Sequence, residues 1–399
     1  MRTMHPGSNN EDDEARWDDP AYLSDPRRAY DLLRDRCPVA RRPADDVWMI
    51  TGHAEAAACA LDAEGFSNRV SSRLQIPNAL DGEEHRRFRA LIDRFLEPPE
   101  VARLAPKFRV IAERLIRSLP AGSLTDAVWE IGAPLAVRFQ CAWLGWHAET
   151  EGPLLEWMRG HRSALHAHDP ARLAQAALDF EALVVEQLEQ TCDEPGQSLT
   201  VTAQLSCAQV EDPTAPGDYR GLTQREVVSI LRNWTAGDLA CIAACVGVVA
   251  HGVASIPRLQ EELRARIDEP GALESAIDEL LRIDSPFLWN RRVTTRDVQV
   301  KGRLIPAGSR VFLNWTAANR DPRRFATPDT FEPMVNAPYN LVYGIGSHVC
   351  PGRALATLQL REALAALLRS SKTIRLAERA PLRAAAPTGG YEHVWLKLG

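Results

Sequence analysis

The stretch from Gln224 to Ala254, QREVVSILRNWTAGDLACIAACVGVVAHGVA, constrains the fold more than any other part of the chain. Its apolar residues recur at helical spacing and predict one helix of about thirty residues. Beyond Leu239 it is apolar nearly all round. A helix without a polar face must be covered on every side, so it belongs in the middle of a large protein. With 399 residues, 45% of them hydrophobic, the chain can build that cover. No uninterrupted apolar run reaches the length of a bilayer span, and no membrane association is expected.

Other alanine- and leucine-rich stretches keep the helical period: PEVARLAPKFRVIAERLIRSL, ARLAQAALDFEALVVEQLEQ and GRALATLQLREALAALLRS. Strand signals are few and short. They are VWMIT at 47–51, VQVKGRLIPAGSRVFLNW at 298–315, read as a hairpin turning at Pro306-Ala307-Gly308, and EHVWLKL near the C-terminus. DEPGQSLT and VEDPTAPGDYRG are loops. The expected class is mainly α with small β-sheets. It is one large domain, residues 16–399, with a helix-rich part and a minor β part, after a flexible N-terminal arm at 1–15. The polar, acidic start has no apolar core and reads as neither signal peptide nor anchor. Eight cysteines in so long a chain do not make a disulfide scaffold, so a cytoplasmic, reduced protein is expected. A net charge of −6 gives no reason to expect a nucleic-acid partner.

The chemistry-bearing stretch is YGIGSHVCPG, Tyr343 to Gly352. Cys350 directly precedes the helical pattern of 351–369, which makes it a candidate N-cap. Pro351 then falls at the first helical position, where a missing N–H costs nothing. The amides of Gly352 and Arg353 can point at the sulfur. A helix dipole of about half a positive charge favours thiolate over thiol there. Gly344 and Gly346 strip side chains from the backbone just upstream, so it can lie flat against something planar. A thiolate beside such a loop suits haem iron. A capping cysteine on a glycine loop is the plainer reading, and the loop alone leaves it open.

The pattern aromatic-G-x-G-x-H-x-C-x-G resembles the haem-binding loop of the cytochrome P-450 family. ELLR supplies the family's E-x-x-R pair as Glu279 and Arg282. RVTTRDVQVKGRLIPAGSRVFLNWTAANRDPRRFATPDTFEP resembles the segment between that pair and the cysteine. DGEEHRRFRALIDRFLEPPEV resembles the H-x-x-x-R helix. In order and spacing the resemblance spans residues 15–399. It implies the P-450 fold and haem b, with Cys350 as the proximal iron ligand. Tyr343, Gly344 and Gly352 would frame the loop, and His85, Arg89, Arg292 and His348 would contact the propionates. Glu279 and Arg282 would be structural. The implied activity is that of a soluble, bacterial-type haem-thiolate monooxygenase of secondary metabolism, cytoplasmic and monomeric. It would insert one oxygen atom from O2 into a small or medium lipophilic molecule, aromatic ones included. Electrons would come from a ferredoxin or flavodoxin-type donor with its reductase.

Two departures stand out. The family's small-G-x-acid-Thr pattern, which relays protons during oxygen activation, reads here as AGDLA. With the glycine in register, Leu239 stands at the acid and Ala240 at the threonine; sliding by one puts Asp238 at the acid and Leu239 at the threonine, and either way the alcohol is gone. Asp238 points about 200° round the helix from Ala240 and cannot replace a side chain there. Ala240 leaves room for a water or a substrate hydroxyl. Asp238 either organises that water or is a solvated or salt-bridged aspartate. The loss of the alcohol keeps oxidative coupling, desaturation and peroxide-driven chemistry open, and a non-catalytic haem carrier is a third reading. Second, Val335 stands where an arginine usually joins the Glu279–Arg282 pair, with Asn336 as a weak substitute.

By resemblance the substrate side comprises Arg73–Asn78, the central helix, PFLWNR and TGGYEHV. Trp234, Phe287, Leu288, Trp289 and Tyr391 are the candidate pocket, with core packing as the alternative for each. His161, His166 and His168 read as a helix surface or pocket rim. Cys241 and Cys245 read as small buried side chains. Arg86, Arg87, Arg94, Arg353 and Arg361 on the cysteine face would meet an acidic electron donor.

Overall fold

The computed structural model describes residues 25–42, 45–120, 122–192, 200–215, 217–386 and 388–399. The arm at 1–15 and most of the DEPGQSLT loop lie outside the described residues. Six helices position the site: α1 Gly82–Ile92, α2 Ala133–Leu144, α3 Pro170–Cys192, α4 Gln224–Ser255, α5 Ala272–Ile283 and α6 Arg353–Ser370. Eight strands concern it: β1 Val39–Arg42, β2 Val47–Ile50, β3 Phe66–Ser67, β4 Leu124–Asp126, β5 Trp289–Thr294, β6 Arg310–Asn314, β7 Ile374–Leu376 and β8 Trp395–Leu398.

Helix α4 is the predicted central helix. It opens on a capping box: Thr223 Oγ1 accepts from Glu226 N at 3.3 Å and Glu226 Oε2 accepts from Thr223 N at 2.8 Å. Arg220 holds Glu226 through two further bonds of 2.9 and 2.7 Å. The helix stops at Ile256 because Pro257 bars its predecessor from helical geometry. By length and composition α4 is long and apolar enough to cross a bilayer, yet most of that apolar window is buried inside the protein. Helices α2, α5, α6 and the π-helical segment Ala127–Gly132 pack around it. Its Leu231, Leu239, Ile242 and Val253 join the main core with Phe108, Phe139 and Leu364.

The larger sheet runs β1-β2-β6-β5-β3, with β6 parallel to β2 and otherwise antiparallel. The smaller runs β7-β8-β4. The hairpin expected at 298–315 is corrected. Val298–Val300 pairs with Arg303–Ile305 across Lys301-Gly302, and Pro306-Ala307-Gly308 instead leads into β6, whose partner is β5. Lys301 and Gly302 carry the positive φ that so tight a turn needs.

Candidate functional site

The loop before α6 folds back on itself. Gly344 N donates to Leu341 O at 2.8 Å, Val349 N to Gly346 O at 3.1 Å and Cys350 N to Tyr343 O at 2.9 Å. Gly344 (φ +73°) and Gly346 (φ +80°) make this possible, since side-chain-bearing residues rarely adopt that region. The loop leaves Cys350 exposed and free of any disulfide. The N-cap position of Cys350 is corrected: α6 begins at Arg353 with Gly352 as its N-cap, so Pro351 is not its first residue. Gly352 (φ −81°, ψ 7°) lies outside the helical range, and the Pro351-Gly352 pair forms a separate turn. The Gly352 amide still serves the sulfur and lowers its pKa. Burial and, next, the Cys241 thiol outweigh it and push Cys350 up to about 11. The protein alone therefore favours the thiol, and a cation bound at the sulfur is what converts it to thiolate.

Beside the loop, four basic groups converge. The His85 and His348 rings lie 3.9 Å apart between centroids. Arg89 Nη1 donates to Ser347 O and Val349 O, both at 3.0 Å, and its Nε pairs with Asp93 Oδ1 at 2.8 Å, so α1 clamps the loop. Arg292 on β5 is buried and donates to the Arg291 carbonyl at 2.8 Å. Among the described residues no carboxylate pairs with it. Burial draws its guanidinium down to about 10. Burial, then His85 and Arg292, depress His348 to about 3; burial and Arg89 lower His85. Asp81 opposes these shifts, but its carboxylate is engaged with Ser67 Oγ and Asn68 N. Buried Arg292 and His85 with half-buried His348, none paired with a carboxylate among the described residues, fit with Arg89 a dianionic group such as the two carboxylates of haem. The open sulfur and the side-chain-free loop fit its iron and its flat ring.

The Glu279–Arg282 pair lies behind the loop with two bonds of 2.8 Å in full burial. Arg282 also donates to the carbonyls of Asn319, Pro328 and Thr330. The third member expected to be weak is present: Asn336 Nδ2 donates to Glu279 Oε1 at 2.7 Å, while Met334 and Val335 turn outward.

On α4, Gly237 and Ala240 are exposed, and a Cβ at 237 would meet nothing within 4 Å. This is the open space expected at Ala240. Asp238 is turned aside and accepts from Gln359 Nε2 of α6 at 2.8 Å. The loop expected to face substrate is fastened to α4. Ile76 N donates to Ser229 Oγ at 3.0 Å, Asn233 Nδ2 to Ile76 O at 2.8 Å, and Arg232 Nη2 to Leu74 O. Arg232 Nη1 reaches Glu181 Oε2 of α3 at 2.7 Å.

Most of the aromatic pocket expectation is corrected. Trp234 is wedged between Phe95 and Trp143, at 5.5 and 5.0 Å. Leu288 is buried in a small cluster with Tyr30 and Met49, and Trp289 stacks on Phe312 at 5.2 Å. Tyr391 is buried with its hydroxyl 3.0 Å from His251 Nδ1. Large rings carry the most area to bury, and these three serve packing together with Leu288. Phe287 alone is exposed, bridged to Thr388 beside the contact of Gly390 with Val248 of α4. Among the described residues no three side chains gather as metal ligands. His161 stacks on Trp157 and His166 meets Glu392. On the cysteine face, Arg86, Arg353 and Arg361 pair with Glu83, Asp278 and Glu274, leaving half-buried Arg87 and exposed Arg94 without an ion pair among the described residues.

The family model for Cytochrome P450 matches residues 270–379, which contain the Glu279–Arg282 pair and the cysteine loop. Over those residues the chain is similar to the cytochrome P450 family. It is 28% identical to the vitamin D(3) 25-hydroxylase of Pseudonocardia autotrophica over 89% of each chain. It is 26% identical to the 6-deoxyerythronolide B hydroxylase of Saccharopolyspora erythraea, over 85% of this chain and 87% of that one. Among solved structures, cytochrome P450 CYP109Q5 from Chondromyces apiculatus superposes with a TM-score of 0.82 at 24% identity, covering 95% of this chain and 96% of that one. By this likeness the chain is an oxidoreductase of the monooxygenase class, and the family it resembles implies a haem-thiolate cofactor.

Proposed function

We propose that this chain binds haem b through Cys350 and inserts one oxygen atom from O2 into a small or medium lipophilic molecule. The observation that carries the reading is the exposed Cys350 sulfur beside His85, His348 and buried Arg292, which pair with no carboxylate among the described residues, and beside Arg89. His85, Arg89, Arg292 and His348 would hold the propionates, while Tyr343, Gly344 and Gly352 shape the loop under the ring. The bound haem would supply oxygen activation. The chain's own part is to exclude water and hold substrate. Gly237 and Ala240 leave room over the ring, Phe287 borders it, and the tethered 73–78 loop closes it. The substrate class rests on this apolar lining and on relatives named as hydroxylases of vitamin D(3) and of 6-deoxyerythronolide B. Residues 16–399 would act as one catalytic domain, monomeric and cytoplasmic. A ferredoxin or flavodoxin-type donor with its reductase would dock on the cysteine face around Arg94.

The missing hydroxyl at Ala240 favours a second reading, in which the same scaffold performs oxidative coupling, desaturation or peroxide-driven chemistry. A panel of lipophilic compounds screened by the spin-state shift of the haem band identifies ligands. Turnover of each hit under 18O2 then decides: label in the product supports monooxygenation, and unlabelled coupled or desaturated product supports the second reading.

A further inference from the structure

Arg353, which the sequence offers as a contact for an electron donor, is engaged within the chain. It is the first residue of α6, three after Cys350, and its guanidinium lies over the Tyr343 ring, 5.1 Å from the centroid. Its Nη2 donates to Asp278 Oδ2 of α5 at 2.9 Å. Tyr343 is the residue whose carbonyl accepts the Cys350 N–H at 2.9 Å. The Tyr343 hydroxyl lies 3.4 Å from Thr357 Oγ1. Arg353 and Thr357 are four apart and share one face of α6, so that helix holds the ring at its face and at its tip.

Asp278 grips the loop at both ends. Its carbonyl accepts from Asn340 Nδ2 at 2.8 Å, and Asn340 Oδ1 in turn accepts from Val342 N at 2.9 Å. Its carboxylate accepts from Arg353 where the loop passes into α6. Asp278 is half-buried, and its Oδ1 has no hydrogen-bond partner among the described residues. Burial raises this acid, and the charge and hydrogen bond of Arg353 oppose the shift. A lone surface ion pair contributes little. This guanidinium also covers an aromatic face, and removing it would leave a half-buried carboxylate without its cation.

We propose that Arg353 is a positioning residue for the iron ligand, joining Tyr343 to Asp278 and so holding closed the loop that carries Cys350. With the loop closed, the Cys350 amide stays on the Tyr343 carbonyl and the sulfur keeps one place. That the sulfur ligates haem iron rests on the haem-thiolate reading; the closure of the loop does not.

The test compares Arg353→Met, Arg353→Lys and Asp278→Asn with the wild type, all as holoenzymes. Methionine keeps the length of the side chain and loses its charge, lysine keeps a cation, and asparagine removes the acid. The first readout is hydrogen exchange of the amides in 340–352, followed by mass spectrometry. Exchange there should be about 10-fold faster in Arg353→Met and Asp278→Asn, while α4 keeps its wild-type protection. Arg353→Lys should recover most of the protection. The second readout is the decay of the thiolate–CO absorption band of reduced protein, held well below its thermal midpoint. The decay should be several-fold faster in Arg353→Met and slow again in Arg353→Lys. Unaltered exchange in Arg353→Met overturns the proposal, as does a lysine variant no better than the methionine one. Faster exchange spread equally over the whole chain overturns it too, because Arg353 would then serve general stability. So does a variant that slows only reduction by a ferredoxin, which would make Arg353 a docking contact. A wild type without the thiolate–CO band would sink the haem-thiolate reading instead, while the exchange readout still decides whether Arg353 closes the loop.

Discussion

Asn336 Nδ2 lies 2.7 Å from Glu279 Oε1, one residue after Val335, which stands where an arginine usually joins the pair. The bond gives the buried Glu279 carboxylate an acceptor role beyond Arg282, and Glu332 N adds another at 3.0 Å. Asn336→Ala is expected to cost about 1.5–3 kcal/mol, the range of a hydrogen bond to a charged group. Glu279→Ala, which strands Arg282 in full burial, should cost about 3–5 kcal/mol. Denaturant unfolding measures both. Equal costs would show that Asn336 supports Arg282 as much as Glu279 does and would contradict this ranking.

Arg292 presents the opposite balance. Its buried guanidinium has no acid partner among the described residues, so in the haem-free chain it is a burden and with haem an asset. Arg292→Met is expected to leave the thermal midpoint of haem-depleted protein unchanged or raised and to lower that of the holoenzyme, with faster haem loss. A variant that lowers both midpoints equally would make Arg292 an ordinary structural residue.

Helix α4 also carries a pH-sensitive contact. His251 Nδ1 meets the Tyr391 hydroxyl at 3.0 Å, and burial lowers His251 from 6.5 to about 4. Between those values the unfolded chain binds a proton that the folded chain refuses. Stability should therefore be fully present above pH 6.5 and decline as pH falls towards 4. His251→Gln should flatten that decline in urea unfolding across the interval, whereas an unaltered slope would assign it to other groups.

Arg232 joins two elements over the site: the Leu74 carbonyl of the 73–78 loop and Glu181 of α3. Cutting this tether in Arg232→Ala should speed both binding and release of a spin-shifting ligand several-fold in stopped-flow mixing, with haem content unchanged. Unaltered rate constants would leave Arg232 a surface ion pair of little consequence.

Helical period, the Cys350 loop and the Glu279–Arg282 pair were legible in the sequence because each is local: a pattern of spacing, or residues within one turn or loop. The central helix, the strand at 47–50 and the open Ala240 followed directly. What the sequence concealed depends on partners far along the chain. Trp234 and Tyr391 read as pocket residues until Trp143 and His251 closed on them. Gln359 carries no signal of its own in the sequence, because its partner Asp238 lies 121 residues away. The hairpin misassignment has a similar cause, because Pro306-Ala307-Gly308 and Lys301-Gly302 both carry turn chemistry and only sheet pairing chooses between them.

Central to the account is the sulfur of Cys350. Purified protein reduced under carbon monoxide should show the long-wavelength absorption band that only thiolate-ligated haem gives, and Cys350→His should abolish that band while retaining haem. Wild-type protein that binds haem without the band, or a Cys350→His variant that keeps it, would contradict the assignment of Cys350 as the iron ligand.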